Sequence, residues 1–316
     1  MEEDATLGRE PGVGAQASLE SAVVRVAPGM NAQNVAHPVL AHATLRLMPG
    51  TAARAALEAA VGRVGPSMNA QEVSNTVLAH ATLGLTSGVA ARAALEAAMG
   101  RVVPSMNAQG ISNTVWGLLT SAATLGVPLP ACYPSLWQAA CEHDVGSLQD
   151  IHLLNFFHAR LIHNELVSGD VLDEVTFPPW IMTEARGAWM RAIRDDVTVS
   201  SNHRQLASII GDLGVPYKVE SLADDGNFSV DVFLTDADVA IEFDGPSHFI
   251  NTSDSGAASR TTKTMKTELR DMFLRRRYRT VLSVPWFEWA DVKGPAQKRE
   301  YVAEKLRSVG VSIPAS

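Results

Sequence analysis

Residues 230–249 read Val230-Asp-Val-Phe-Leu-Thr-Asp-Ala-Asp-Val-Ala-Ile-Glu-Phe-Asp-Gly-Pro-Ser-His-Phe249. Two β-type runs, 230–234 and 239–243, flank the polar tetrad 235–238. β-Branched and aromatic residues on either side of Asp-rich turn chemistry predict a hairpin. Asp231, Glu242 and Asp244 interrupt strands that otherwise read as core. Such a carboxylate is costly unless it is paired, metal-bound or at a strand end. Gly245-Pro246 stops the second strand. Around the hairpin, residues 202–213 read as a helix, with Leu206, Ile209, Ile210 and Leu213 at helical spacing. Residues 217–220 and 280–284 read as strands, and 266–277 and 297–307 as helices. Residues 251–263, rich in Ser, Thr, Gly and Ala, read as a flexible linker. Helix, three strands, helix, strand, helix predicts an α/β sandwich.

The N-terminal half repeats itself. Met30-Asn-Ala-Gln recurs at Met68 and Met106, a period of 38 residues. Ala52-Ala-Arg-Ala-Ala-Leu-Glu-Ala-Ala recurs at Ala90, and Val39-Leu-Ala-His-Ala-Thr-Leu at Val77. Each unit reads as two helices, the first rich in Ala, Leu, Glu and Arg. Gly65-Pro66 ends one helix, and Asn69 with Glu72 opens the next as a capping box. Helix pairs at such a period predict a solenoid, whose units bury a core by stacking. Pro38 stands where Thr76 and Thr114 stand in later units. A proline inside a helix costs about 3 kcal/mol, so the first unit is expected to kink. Near-identical units differ at Asn34, Glu72 and Gly110, and at His37, Asn75 and Asn113. These positions either read a ligand or drift on a solvated face. Trp116, Trp137, Phe156 and Phe157 are expected in the core.

Composition narrows the class. Of 316 residues 46% are hydrophobic, and mean hydropathy is near zero, which fits globular domains with cores. No run approaches the ~20 apolar residues of a membrane span. Two cysteines, Cys132 and Cys141, make no disulfide framework and point to a reducing compartment. They pair with no second cysteine set, which disfavours a zinc site with His143. The acidic start, Met-Glu-Glu-Asp-Ala-Thr, is neither a secretory signal nor a transit peptide. The net charge of −8 opposes a purely electrostatic nucleic-acid binder but leaves room for a basic face.

Met68-Asn-Ala-Gln-Glu-Val-Ser-Asn-Thr-Val-Leu-Ala-His-Ala-Thr-Leu-Gly resembles the octotricopeptide repeat of green-algal organelle proteins. Asn113-Thr-Val-Trp116 keeps the repeat's Trp, which Leu40 and Leu78 replace elsewhere, and residues 148–159 resemble a degenerate fourth copy. The resemblance implies helical, sequence-selective RNA binding. Periodicity alone favours a protein-binding scaffold, the commoner use of a solenoid.

The C-terminal part is similar to the RAP domain. Leu206…Leu213-Gly214, Val230-Asp231-Val232, Ile241-Glu-Phe-Asp-Gly-Pro-Ser-His-Phe249 and Tyr278-Arg-Thr-Val-Leu-Ser-Val-Pro-Trp-Phe-Glu-Trp289 carry the likeness. Arg277 departs from it, standing where the family commonly has Gly. The likeness implies a restriction-endonuclease-like fold. In nucleases of that fold an Asp and a downstream Glu hold Mg²⁺. Asp231 and Glu242 match those places, and Asp244 stands where a Lys is expected. Asp244 is a further Mg²⁺ ligand candidate, and His248 a general-base candidate. Asp231 and Glu242 are expected to face each other across adjacent strands, with Asp244 at an exposed strand end. A basic side chain neutralising Glu242 would argue against cutting.

Lys263, Lys266, Arg270, Arg275, Arg276 and Arg277, with Arg260 and Arg279, form the one dense basic run, suited to phosphate contacts. Trp286, Phe287 and Trp289 are expected to pack under the sheet. The fold class is thus an α-helical solenoid followed by a restriction-endonuclease-like α/β domain. The expected divisions are a repeat array at 1–165, a junction at 166–197, a RAP-like domain at 198–309 and a tail at 310–316. The expected function is single-stranded RNA binding, of an organellar transcript or rRNA, in a chloroplast or mitochondrion. It would support RNA processing, stability or translation beside other RNA-processing proteins and away from membranes. An Mg²⁺-dependent endoribonuclease and a protein-binding scaffold are the alternatives.

Overall fold

Asparagine starts the second helix of each repeat. The side chains of Asn31, Asn69 and Asn107 accept from the backbone N–H groups of Asn34, Glu72 and Gly110 at 2.9, 3.0 and 2.8 Å. Such a cap contributes about 1 kcal/mol. The computed structural model describes residues 13–195, 200–252 and 262–314. Among them are thirteen α-helices and a small C-terminal mixed sheet. The chain divides into two compact units, 1–186 with 249–266, and 187–248 with 267–316.

In the first unit the repeats form helix pairs: α1 (Val13–Val26) and α2 (Ala32–Thr44), α3 (Thr51–Val64) and α4 (Ala70–Leu83), α5 (Val89–Val102) and α6 (Ala108–Leu125). α7 (Tyr133–Cys141) and α8 (Asp150–Glu165) follow. First helices pack on first helices, α1 on α3 on α5, and second on second, α2 on α4 on α6 on α8. Side chains recurring every 38 residues tie neighbouring units. Arg63 Nη2 donates to the carbonyls of Ala27 and Met30, and Arg101 Nη2 to those of Pro66 and Met68, at 2.6–3.1 Å. Glu20 and Glu58 accept from the backbone N–H groups of Gly50 and Gly88.

The period lengthens at the end. Trp116 Nε1 donates to His158 Nδ1 at 3.1 Å, and Asn155 Nδ2 to Asn113 Oδ1 at 3.2 Å, both 42 residues apart. Four extra residues therefore precede α8, which blurs the repeat in the sequence. Pro38 does not end α2, which continues to Thr44.

The stretch expected to be a linker is tied down at both its described ends. β5 (Asn251–Thr252) pairs in parallel with β1 (Leu47–Met48), and Phe249 bridges Lys263. Both contacts lie in the first unit, so the expected boundary at 198 does not divide the chain linearly. Arg260 and the rest of residues 253–261 lie outside the described residues.

In the second unit β2 (Lys218–Leu222), β3 (Ser229–Leu234), β4 (Val239–Asp244) and β6 (Thr280–Pro285) form a sheet in that order. β4 is antiparallel to β3 and parallel to β6. Val232, Leu234, Val239, Ile241, Leu282 and Val284 cover one face. They pack on Leu206, Ile210 and Leu213 of α10 (Ser201–Asp212) with Leu213 just past its end, and on Val302 and Leu306 of α13 (Pro295–Ser308). Strand alternation sends Asp231, Phe233, Glu242 and Asp244 to the opposite face. α11 (Met265–Arg277) meets them there through Arg270, with Tyr278 just beyond its end beside Phe233. α12 (Trp286–Asp291) follows β6 directly. Within the expected tail, Val311 is buried in the same cluster.

Candidate nucleic-acid interface

The hairpin brings the acids together but not into the expected cage. Val232 pairs with Ile241, a register that one further step would set Asp231 opposite Glu242. Asp231 Oδ2 accepts from the Phe243 backbone N–H at 2.6 Å. Glu242 and Asp244 are both fully buried, so Asp244 is not at the exposed strand end expected for it. The Arg270 guanidinium pairs with Glu242 and lies 3.6 Å from Asp244 Oδ1. Asp244 also meets His248 Nδ1 at 2.9 Å and accepts from Ser283 Oγ.

Electrostatics follow from this crowding. Burial holds the Glu242 carboxyl well above the usual range, outweighing the Arg270 charge, and the like charges of Asp231 and Asp244 push the same way. Burial opposes the charge of Arg270, but the surrounding carboxylates, Glu242 foremost, outweigh it and raise its pKa. A guanidinium thus occupies the middle of the trio, the place that the nuclease likeness gives to Mg²⁺. The three carboxylates with Arg270 among them do not fit an oxygen cage for Mg²⁺, and no cleavage step is routed through one. His248, oriented by a buried carboxylate, is half-exposed.

Beside this network lies a groove of about 770 Å³ within the second unit. Gly245, Pro246, Ser247 and His248 form one rim; Trp286, Lys293, Gly294 and Lys298 form another. Asp231, Phe243, Arg270 and Trp289 also line it. Trp289 is buried as expected, whereas Trp286 is only half-buried and opens on the groove. Lys298 Nζ lies 4.3 Å from the Trp289 ring centre and donates to Gln205 at 2.8 Å.

The basic run divides. Arg270 serves the buried acids. Arg277 pairs with Asp225 and lies over Phe228 at 4.8 Å and Phe273 at 5.6 Å, so it is a structural clamp and not an open phosphate contact. Arg279 donates from its side chain to the Ala237 carbonyl at 2.9 Å. Lys266, Arg275 and Arg276 are exposed on α11, and Arg275 lies 3.6 Å from Asp271; Lys263 is half-buried. In the repeats, Glu72 accepts from the Asn69 N–H at 2.8 Å, within its capping box. Asn113 is buried against Asn155, a packing contact in place of an open reading position. Asn75 is half-buried. Lys293 and Lys298 are site residues that the sequence pattern does not single out. The signal available was Lys293-Gly-Pro295 at the start of α13, which aims a helix end at the groove.

A family model described as RAP domain matches residues 241–305. The match takes in β4 from Ile241 onward, all of α11, β6 and α12, and most of α13, and so includes Glu242, Asp244, Arg270 and Trp286. RAP domains are in general RNA-binding. No curated protein matches the chain. Among the described residues no helix is long and apolar enough to cross a membrane.

Proposed function

We propose that this chain binds single-stranded RNA, with the groove of the second unit as the principal contact. The observation that carries the reading is one groove that joins an accessible indole, Trp286, to the cations Lys293 and Lys298, all three within the RAP match. Aromatic faces stack unpaired bases without regard to sequence, and lysines answer the phosphates. In this reading the repeats form an octotricopeptide-like solenoid that reads a few bases. The cell compartment is a chloroplast or mitochondrion, and the role is support of RNA processing, stability or translation beside other RNA-processing proteins.

The test is fluorescence anisotropy of a labelled single-stranded RNA against the full chain. Trp286→Ala should weaken binding by about 1–3 kcal/mol. Lys293→Ala with Lys298→Ala should flatten the salt dependence, by about 0.7 in slope for each phosphate no longer neutralised. Unchanged affinity and slope in both folded variants would overturn the groove as the contact.

A further inference from the structure

A second cluster in the same unit shares Asp231 with the acids around Arg270 and is otherwise distinct from them. It gathers His203 of α10, Glu220 of β2 and Asp231 of β3, all outside the residues that the family model matches. One ligand-capable atom from each lies within 4.8 Å of the others. The strand register explains two of them. Val219 pairs with Val232 and Ser221 with Val230, which brings Glu220, at φ 48°, abreast of Asp231. Opposed carboxylates repel, so the pair favours a positive charge between them.

His203 is buried beside them, and its ring is oriented. Nε2 lies 2.9 Å from the Asp231 backbone carbonyl. A carbonyl only accepts, so Nε2 carries the hydrogen. In the neutral ring Nδ1 then presents its lone pair, and Glu220 Oε1 lies 3.3 Å from it. A lone pair facing a carboxylate oxygen requires a proton or a cation between them. A divalent cation there meets the imidazole and both carboxylates at once. A carbonyl that fixes the tautomer of a histidine is also the usual outer support of a metal ligand. His203 and Asp231 line the groove, along with Ser200 and Asn202, so solvent can complete a coordination sphere.

We propose that His203 Nδ1, Glu220 and Asp231 form a binding site for a first-row divalent cation of the Mn²⁺ or Zn²⁺ class. One imidazole with two carboxylates suits ions between the hard and the soft. The site differs from the expected Asp231, Glu242 and Asp244 set, because Arg270 fills that one. It shares a wall of the groove with the proposed RNA contact, and its test uses no RNA.

The experiment is calorimetric titration of the chelator-stripped full chain with Mn²⁺, and separately with Zn²⁺. One ion per chain should bind. Glu220→Gln and His203→Gln should each weaken binding by at least about tenfold, while Glu288→Gln leaves it unchanged. Circular dichroism reports the fold of each variant. Glu220→Gln keeps volume at a partly exposed position, so it stays informative if loss of the buried imidazole unfolds the chain. A folded wild-type chain that binds neither ion, or a stoichiometric ion held equally well by folded Glu220→Gln, overturns the proposal.

Discussion

Arg270 of α11 and Glu242 of β4 pair beneath the second face of the sheet, with Glu242 fully buried and Arg270 29% exposed at its side chain. The pair joins the helix to the central strand. Arg270→Ala should destabilise the second unit by about 3 kcal/mol, the low end for breaking a buried pair, because Arg270 keeps some solvent. Replacing Arg270 by Met together with Glu242 by Leu should recover much of the loss. Urea denaturation of the three proteins checks this.

Glu242 also sets a pH dependence. Its carboxyl is raised well above 4.5 in the folded chain. Between the unfolded value and the raised one the native state binds more protons, so stability falls as pH rises through that window. Relative to Glu242→Gln, the wild-type chain should be most stable in mild acid and lose up to about 1.4 kcal/mol per pH unit on the way up. Denaturation midpoints at a series of pH values would show converging or crossing curves. A constant offset would contradict the raised carboxyl.

The repeats carry the opposite slope. Burial first, and the Lys266 charge second, lower the pKa of His158 to about 3. Burial, with Arg160 next, lowers that of His163 to about 4. Both stay neutral in the fold and gain protons when unfolded below their ordinary 6.5. Stability contributed by neutral His158 and His163 is therefore full above pH 6.5 and lost as pH falls toward their folded values. His158→Gln should remove part of that acid sensitivity, read by helical circular dichroism during acid titration.

The exposed and the clamped arginines should separate. Arg275→Ala with Arg276→Ala should leave the fold intact and weaken all RNAs alike, flattening the salt slope by about 0.7 for each phosphate no longer neutralised. Arg277→Ala should instead lower the melting temperature, since its guanidinium is engaged by Asp225 and two phenylalanines. Equal loss of RNA affinity without destabilisation in Arg277→Ala would put that residue in the interface.

Much of the fold was legible because local chemistry and periodicity agreed. The Asn caps, the 38-residue spacing and the alternation of strands 230–234 and 239–243 each depend on neighbours in sequence. What stayed hidden was long-range. Arg270 reads as part of a basic run until β4 is placed beneath it. Asn113 reads as a variable surface position until α8 arrives 42 residues later with Asn155. Glu220 and His203 reveal nothing in isolation, because register and helix placement bring them to Asp231. Residues 310–314 are too short a stretch to show a period, and only the fold shows Val311 in the core.

Ultraviolet crosslinking of the full chain to a photoactivatable single-stranded RNA, with crosslinked residues identified by mass spectrometry, tests the central claim most directly. Crosslinks are expected at Trp286 and in the stretches 245–248 and 293–298 that rim the groove. RNA crosslinked only to the helical repeats, or no crosslink to a folded chain, would contradict it.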